Sequence, residues 1–123
     1  MCGIVGYVGR RPGKPIILDG LRRLEYRGYD SAGLALLEPT GIDVVRAVGN
    51  LDALFLAAGK NSSDACVGLG HTRWATHGRP TEENAHPHSD CSDRITIVLN
   101  GIVENYKELC ERLTAKGHAF RSE

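Results

Sequence analysis

The chain has 123 residues, 41% of them hydrophobic and 24% charged, with 15 Lys+Arg balanced by 15 Asp+Glu. That length and composition describe one soluble globular unit, and the charge balance argues against nucleic acid or a membrane surface as a partner, since either favours a basic excess. No basic stretch followed by a long apolar run opens the chain, and no segment reads as a membrane span, so a cytoplasmic location is the expectation.

The four cysteines, Cys2, Cys66, Cys91 and Cys110, form no CxxC pair or regular framework and read as reduced thiols. Cys66 and Cys110 are expected as small core residues. Cys2 differs from the rest, because loss of Met1 alone would leave a thiol and a free α-amine on one residue. An α-amine, ordinarily near pH 8, is a far better base at neutral pH than a lysine at about 10.4. It can take the thiol proton directly or through one water, so the residue carries its own nucleophile and base. A Met-Cys start also arises by coincidence, and further residues have to support the chemistry.

In chain order, Cys2 to Val8 is an apolar run short enough for a buried strand. Pro15 suits the first turn of a helix whose apolar positions are Ile17, Leu18, Leu21 and Leu24, with Gly28 as a stop. Ala32–Leu37 and Ile42–Val48 read as a hairpin around Glu38-Pro39-Thr40-Gly41. Asn50 is placed to cap a helix running to about Ala58, and Ala65–Gly70 reads as another strand. The polar, proline-bearing stretch 76–93 is expected outside the packed core. Ile95–Leu99 follows as a β-branched strand and Val103–Lys116 as a helix closed by Gly117. The last residues, 118–123, look like the start of a further strand, as in a fragment of a longer protein. Hairpin-paired strands with helices outside them describe an α+β fold with a largely antiparallel sheet.

Three segments carry candidate chemistry. Gly70-His71-Thr72-Arg73-Trp74-Ala75-Thr76-His77-Gly78 reads as a strand end entering a loop, where ligand contacts concentrate. An arginine there can clamp a carboxylate bidentately while Thr and His orient a polar substrate; the plainer alternative has Trp74 as packing and Arg73 as a solvated charge. Asn100-Gly101 is usually only a turn, yet a carboxamide beside an open backbone N–H can also hold an oxyanion, at about 3–4 kcal/mol of barrier per donor. Asn84-Ala85-His86-Pro87-His88-Ser89-Asp90-Cys91 gathers zinc-ligand types, but its spacing matches no standard pattern and a structural loop is the better reading. His118 reads as a surface residue, and the glycines form no phosphate cradle.

Five segments taken together, 1–7, 24–33, 70–78, 84–88 and 100–106, resemble the class II glutamine amidotransferases along the whole chain. Within that family the 26–32 and 74–88 segments resemble the branch that makes glucosamine 6-phosphate more than the amidophosphoribosyltransferase or asparagine synthetase branches. The resemblance implies an N-terminal nucleophile hydrolase fold, an αββα sandwich with antiparallel sheets, here truncated. It implies glutamine as substrate, Cys2 as nucleophile after Met1 is removed, and Asn100 with Gly101 as oxyanion hole. Arg73 would hold the substrate α-carboxylate, assisted by Thr76 and His77, with Trp74 on the loop that closes over glutamine and separates the site from solvent, and Arg27 supporting the nucleophile. No cofactor or metal is implied. Fructose 6-phosphate would be served through an isomerase domain beyond this chain, in a homodimer. Leu99 departs from the histidine found there in many relatives, and the family's Thr-Asp-Thr-Glu stretch, whose aspartate binds the substrate α-amine, is expected beyond Glu123. A non-catalytic module on the same scaffold is the alternative.

Overall fold

The computed structural model describes residues 1–123. Its centre is a four-stranded sheet in the order β1 (Gly3–Val8), β4 (Val67–Arg73), β2 (Ser31–Glu38), β3 (Gly41–Val48), with every neighbouring pair antiparallel. The expected hairpin forms β2 and β3, joined at Pro39-Thr40 with Glu38 opposite Gly41. Helix α1 (Gly13–Arg23) connects β1 to β2, and α2 (Leu51–Ala58) connects β3 to β4. Pro15 lies in the first turn of α1 and Asn50 caps α2, its side chain accepting from the Ala53 N–H at 3.2 Å. This cap satisfies one of the N–H groups that a helix start leaves without an internal partner.

Both helices lie on one face of the sheet. Ile17 and Leu21 from α1 and Leu51, Leu54 and Ala58 from α2 form one buried cluster with Ala32, Leu34, Leu36 and Ala47. Each fully buried leucine or isoleucine contributes roughly 1.5–3 kcal/mol. Close approach of α1 depends on Gly70, where an added Cβ would lie 2.6 Å from the Ile17 Cγ2. Strand alternation sends the neighbouring residues of β4 to the other face. His71 therefore stands opposite Gly33, and Arg73 opposite Ser31.

Several expectations are corrected here. β4 does not stop at Gly70: it runs on through Arg73, and His71, Thr72 and Arg73 are buried in it. Their polarity hides a strand whose alternation continues. Part of 76–93 is packed core after all, since Asn84, Ala85 and Pro87 are buried. This segment lies on the second face of the sheet, over Gly33, where a Cβ would lie 2.2 Å from the His86 carbonyl oxygen. The Arg46 Nε donates to the Pro87 carbonyl at 2.8 Å and helps hold it there. The expected strand 95–99 shrinks to β6 (Thr96–Ile97), whose only partner is β5 (His88–Ser89). Helix α3 (Tyr106–Ala115) starts later than Val103 and buries none of its residues. Residues 118–123 have no strand beside them and form none. Cys66 and Cys110 are only half-buried, and neither belongs to the core cluster. No helix is long and apolar enough to cross a membrane.

Candidate active site

Cys2 sits just before β1, at the end of the sheet where β4 delivers Arg73 and Trp74. Gly3, next in the chain, pairs with Thr72 and donates its N–H to the Thr72 Oγ1 at 3.1 Å. The Cys2 Sγ is bracketed by the backbone of Trp74: it accepts from the Trp74 N–H at 3.2 Å and faces the Trp74 carbonyl at 3.7 Å. The Met1 amine donates to the Arg27 carbonyl at 3.0 Å, and the Arg27 guanidinium lies 3.5 Å from the Met1 sulfur. Arg27 thus lies against the N-terminal residue. With Met1 in place the Cys2 nitrogen is an amide and has no base to offer.

Asn100 reaches this group from 98 residues away. Its Nδ2 donates to the Cys2 carbonyl at 3.3 Å, and its Oδ1 lies 2.7 Å from the His71 Nε2. Gly101 follows at an exposed turn.

Arg73 is buried to 9% exposure, and its guanidinium donates to the carbonyls of His77 and, at 3.1 Å, Arg79. These bonds fold the 74–79 segment back over the end of β4. A guanidinium has five N–H donors, so the two acceptors leave others for a ligand. The segment is also tied from below: the Asp30 carboxylate accepts from the Ala75 N–H at 2.6 Å. Trp74 is half-exposed with its ring against Gly28. Thr76 and His77 are exposed, His77 Nδ1 lying 3.3 Å from Thr76 Oγ1.

Of the residues expected at a site, Trp74 and Asn100 both contact Cys2, and Arg27 contacts Met1 beside it. Arg73, Thr76 and His77 share the adjoining segment without touching Cys2. Residues that the sequence offered only within candidate segments, with no role of their own at the site, stand behind them. His71, His86 and His88 form a chain of rings, with centroids 4.4 and 4.5 Å apart. Burial, joined by the charges of neighbouring His and Arg side chains, pushes His86 down to about 3. It also lowers His71, against the opposing effect of the Asn100 bond, and lowers His88. All three rings are therefore neutral at physiological pH. The available signal for His71 was its alternation with Leu69 and Arg73.

The zinc-like segment does not assemble. His86 and His88 join the ring chain, the Asp90 carboxylate accepts from the N–H groups of Ser92, Arg94 and Ile95, and the Cys91 sulfur turns to His118 and Ala119. Nowhere do three His, Cys, Asp or Glu side chains converge as ligands.

A family model described as a glutamine amidotransferase domain matches residues 57–123. Isomerising glutamine–fructose-6-phosphate aminotransferases are similar over the whole chain. The one from Thermus thermophilus is 60% identical over 123 residues, covering 100% of this chain and 20% of that protein. The one from Pyrococcus horikoshii is 49% identical over 123 residues, covering 100% and 21%. This chain thus spans about one fifth of the length of these relatives. Among solved structures, the allosteric regulatory enzyme of purine biosynthesis superposes with a TM-score of 0.81 at 23% identity, over 99% of this chain and 27% of the other. The glutamine phosphoribosylpyrophosphate amidotransferase of B. subtilis, complexed with ADP and GMP, gives 0.63 at 19%, over 98% and 26%. At such identities the likeness speaks for the fold alone, a mixed α/β domain with antiparallel sheets.

Proposed function

The chain belongs to the glutamine amidotransferase domain family, and on that premise we propose that it hydrolyses glutamine to glutamate and ammonia, with Cys2 as nucleophile once Met1 is removed. The thiol gives its proton to the Cys2 α-amine as sulfur attacks the side-chain carboxamide carbon of glutamine. The resulting oxyanion lies between the Asn100 Nδ2 and the Gly101 N–H, donors placed for the charge that develops. Collapse breaks the C–N bond, the α-amine returns the proton to the departing nitrogen, and ammonia leaves a glutamyl thioester. Water, deprotonated by the same amine, then releases glutamate and restores the thiol.

The observation that carries this reading is that one carboxamide, 98 residues distant in sequence, reaches the nucleophile's own carbonyl. Arg73 takes the substrate α-carboxylate with its remaining donors, assisted by Thr76 and His77 at the rim. Trp74, half-exposed and with its backbone against the sulfur, shields the reacting centre. Residues 1–123 form the N-terminal part of a glutaminase domain. In the protein as a whole the ammonia passes to fructose 6-phosphate, yielding glucosamine 6-phosphate, through an isomerase domain that this chain does not include. The protein works as a cytoplasmic homodimer.

Two measurements test this on the natively expressed protein. Intact mass should show Met1 removed, and Cys2→Ala should lower glutamine hydrolysis on the order of a thousandfold or more while ammonia-dependent synthesis survives. Retention of Met1 in active protein, or a Cys2→Ala variant near the parent rate, removes the mechanism and favours a non-catalytic module.

A further inference from the structure

We propose that His71 is a positioning residue for the oxyanion hole, its Nε2–H holding the Asn100 carboxamide with Nδ2 toward the nucleophile. This rests on the role given to Asn100 above and adds the device that orients it.

A carboxamide has two ends of opposite polarity, and only one serves. An oxyanion needs the NH₂ end. Asn100 is exposed and follows a two-residue strand, so neither burial nor a regular backbone element fixes its amide. Two contacts do. The Cys2 carbonyl can only accept, so the amide end 3.3 Å from it is the NH₂. The oxygen then faces the His71 Nε2 at 2.7 Å, and that nitrogen must carry the proton. Turning the amide over would set oxygen against the Cys2 carbonyl oxygen, losing that bond, and would keep the His71 contact only if the ring moved its proton to the unpartnered Nδ1.

The position of His71 makes it a rigid donor. It is fully buried on β4, paired with Gly33 of β2, and its ring rests on His86 at 4.4 Å. Its Nδ1 is buried without a partner, so nothing on the far side of the ring competes for the single proton of the neutral form. Burial and the nearby Arg73 charge favour that neutral form. An acceptor at Nε2 and none at Nδ1 selects the Nε2–H tautomer.

The test compares His71→Leu, which keeps bulk without a donor, with His71→Gln, whose Nε2 falls near the position of the imidazole Nε2. In the natively expressed protein, His71→Leu should lower kcat for glutamine hydrolysis about 10–100-fold with KM changed less than about twofold. Alkylation of Cys2 by iodoacetamide should proceed at the parent rate, because the thiol and its amine are untouched. His71→Gln should restore most of kcat. In a double-mutant cycle, His71→Leu on an Asn100→Ala background should cost nothing further. If the leucine variant does not fold, His71→Asn, whose amide falls at the Nδ1 position, replaces it under the same criteria. The proposal is overturned by a kcat within about threefold of the parent, by losses that multiply with those of Asn100→Ala, by a glutamine variant as impaired as the leucine one, or by Cys2 alkylation slowing in step with kcat. Those outcomes leave the Cys2 mechanism standing. A Cys2→Ala variant that still hydrolyses glutamine removes that mechanism instead.

Discussion

The two faces of the central sheet are built on opposite terms. On the helix-covered face, β2 and β3 present Ala32, Leu34, Leu36 and Ala47 to Ile17, Leu21, Leu51 and Leu54, all aliphatic and all buried. On the other face the same strands, with β4, present Arg46, His71 and Arg73 to a segment containing His86 and Pro87. Two imidazole nitrogens, the Nδ1 atoms of His71 and His86, are buried there without a partner. A buried polar group left unpaired costs about 1–3 kcal/mol. The first face accounts for stability, and the second holds an arrangement that stability alone does not favour. Polar groups aimed at one end of a sheet, against a compact apolar support, are the arrangement expected of a site.

The sharpest way to break this division is Leu34→Ala, which empties a fully buried position on the helix face. It should destabilise the domain by about 2–5 kcal/mol, read as a lower denaturant midpoint with unchanged slope, while KM for glutamine stays at the parent value in the folded fraction. A KM that moves with stability would mean that the two faces are not separable.

Arg73→Ala attacks the other face. Its bonds go to the carbonyls of His77 and Arg79 in an exposed segment that water can solvate, so stability should fall little. KM for glutamine should rise about 10–100-fold, equivalent to roughly 1.4–2.7 kcal/mol, with kcat affected less, because a carboxylate clamp acts in ground and transition states alike. Loss confined to kcat argues against the clamp.

The same division decides what could be read from sequence. The helix face was legible because its signals are local: the spacing of Ile17 and Leu21, the Asn50 cap, and the apolar alternation of β2 and β3. Cys2, Arg73, Trp74 and Asn100 were legible as candidates, Cys2 from its place beside Met1 and the others from side-chain type. The polar face was not. His71-Thr72-Arg73 looked like a loop because polar residues in a strand make sense only once their partners are known. Those partners lie far off: Asn100 is 29 residues from His71, and His86 meets the backbone at Gly33. A glycine in a strand announces a close approach without saying what approaches.

Gly33→Ala joins the two faces in one substitution, since it adds a methyl on the polar side of a strand whose other side is core. Its Cβ would lie 2.2 Å from the His86 carbonyl oxygen and 2.9 Å from the Val45 carbonyl oxygen. Backbone, not a flexible side-chain tip, has to move. Overpacking of this kind costs about 1–3 kcal/mol. Because the displaced segment carries the His86 ring against His71, kcat should fall more than it does for a helix-face substitution of equal destabilisation. Equal losses of kcat at equal stability would show that the 84–88 segment is only a cover.

The smallest expected effect comes from acid, and it too falls on one face. His86 titrates near 3 in the folded chain, well below the ordinary value of 6.5, with burial as the main cause and the charges of His71 and His88 adding to it. His71 and His88 are lowered in the same direction. Between pH 6.5 and 3 the unfolded chain therefore binds more protons than the folded one. Stability from these rings is fully present above about pH 6.5 and declines as pH falls. The carboxylates of Glu83, Asp90 and Asp93 are lowered as well, but their contribution declines only when carboxylates of the unfolded chain begin to protonate, below about pH 5. A comparison of Tm at pH 7 and pH 5 thus isolates the histidines. His86→Phe keeps an aromatic ring and gives up no bond at the unpartnered Nδ1, so it should shrink the fall in Tm over that interval by about 2 °C. The partial exposure of the ring keeps the figure small. A fall as steep as the parent's would place the acid sensitivity elsewhere than in His86.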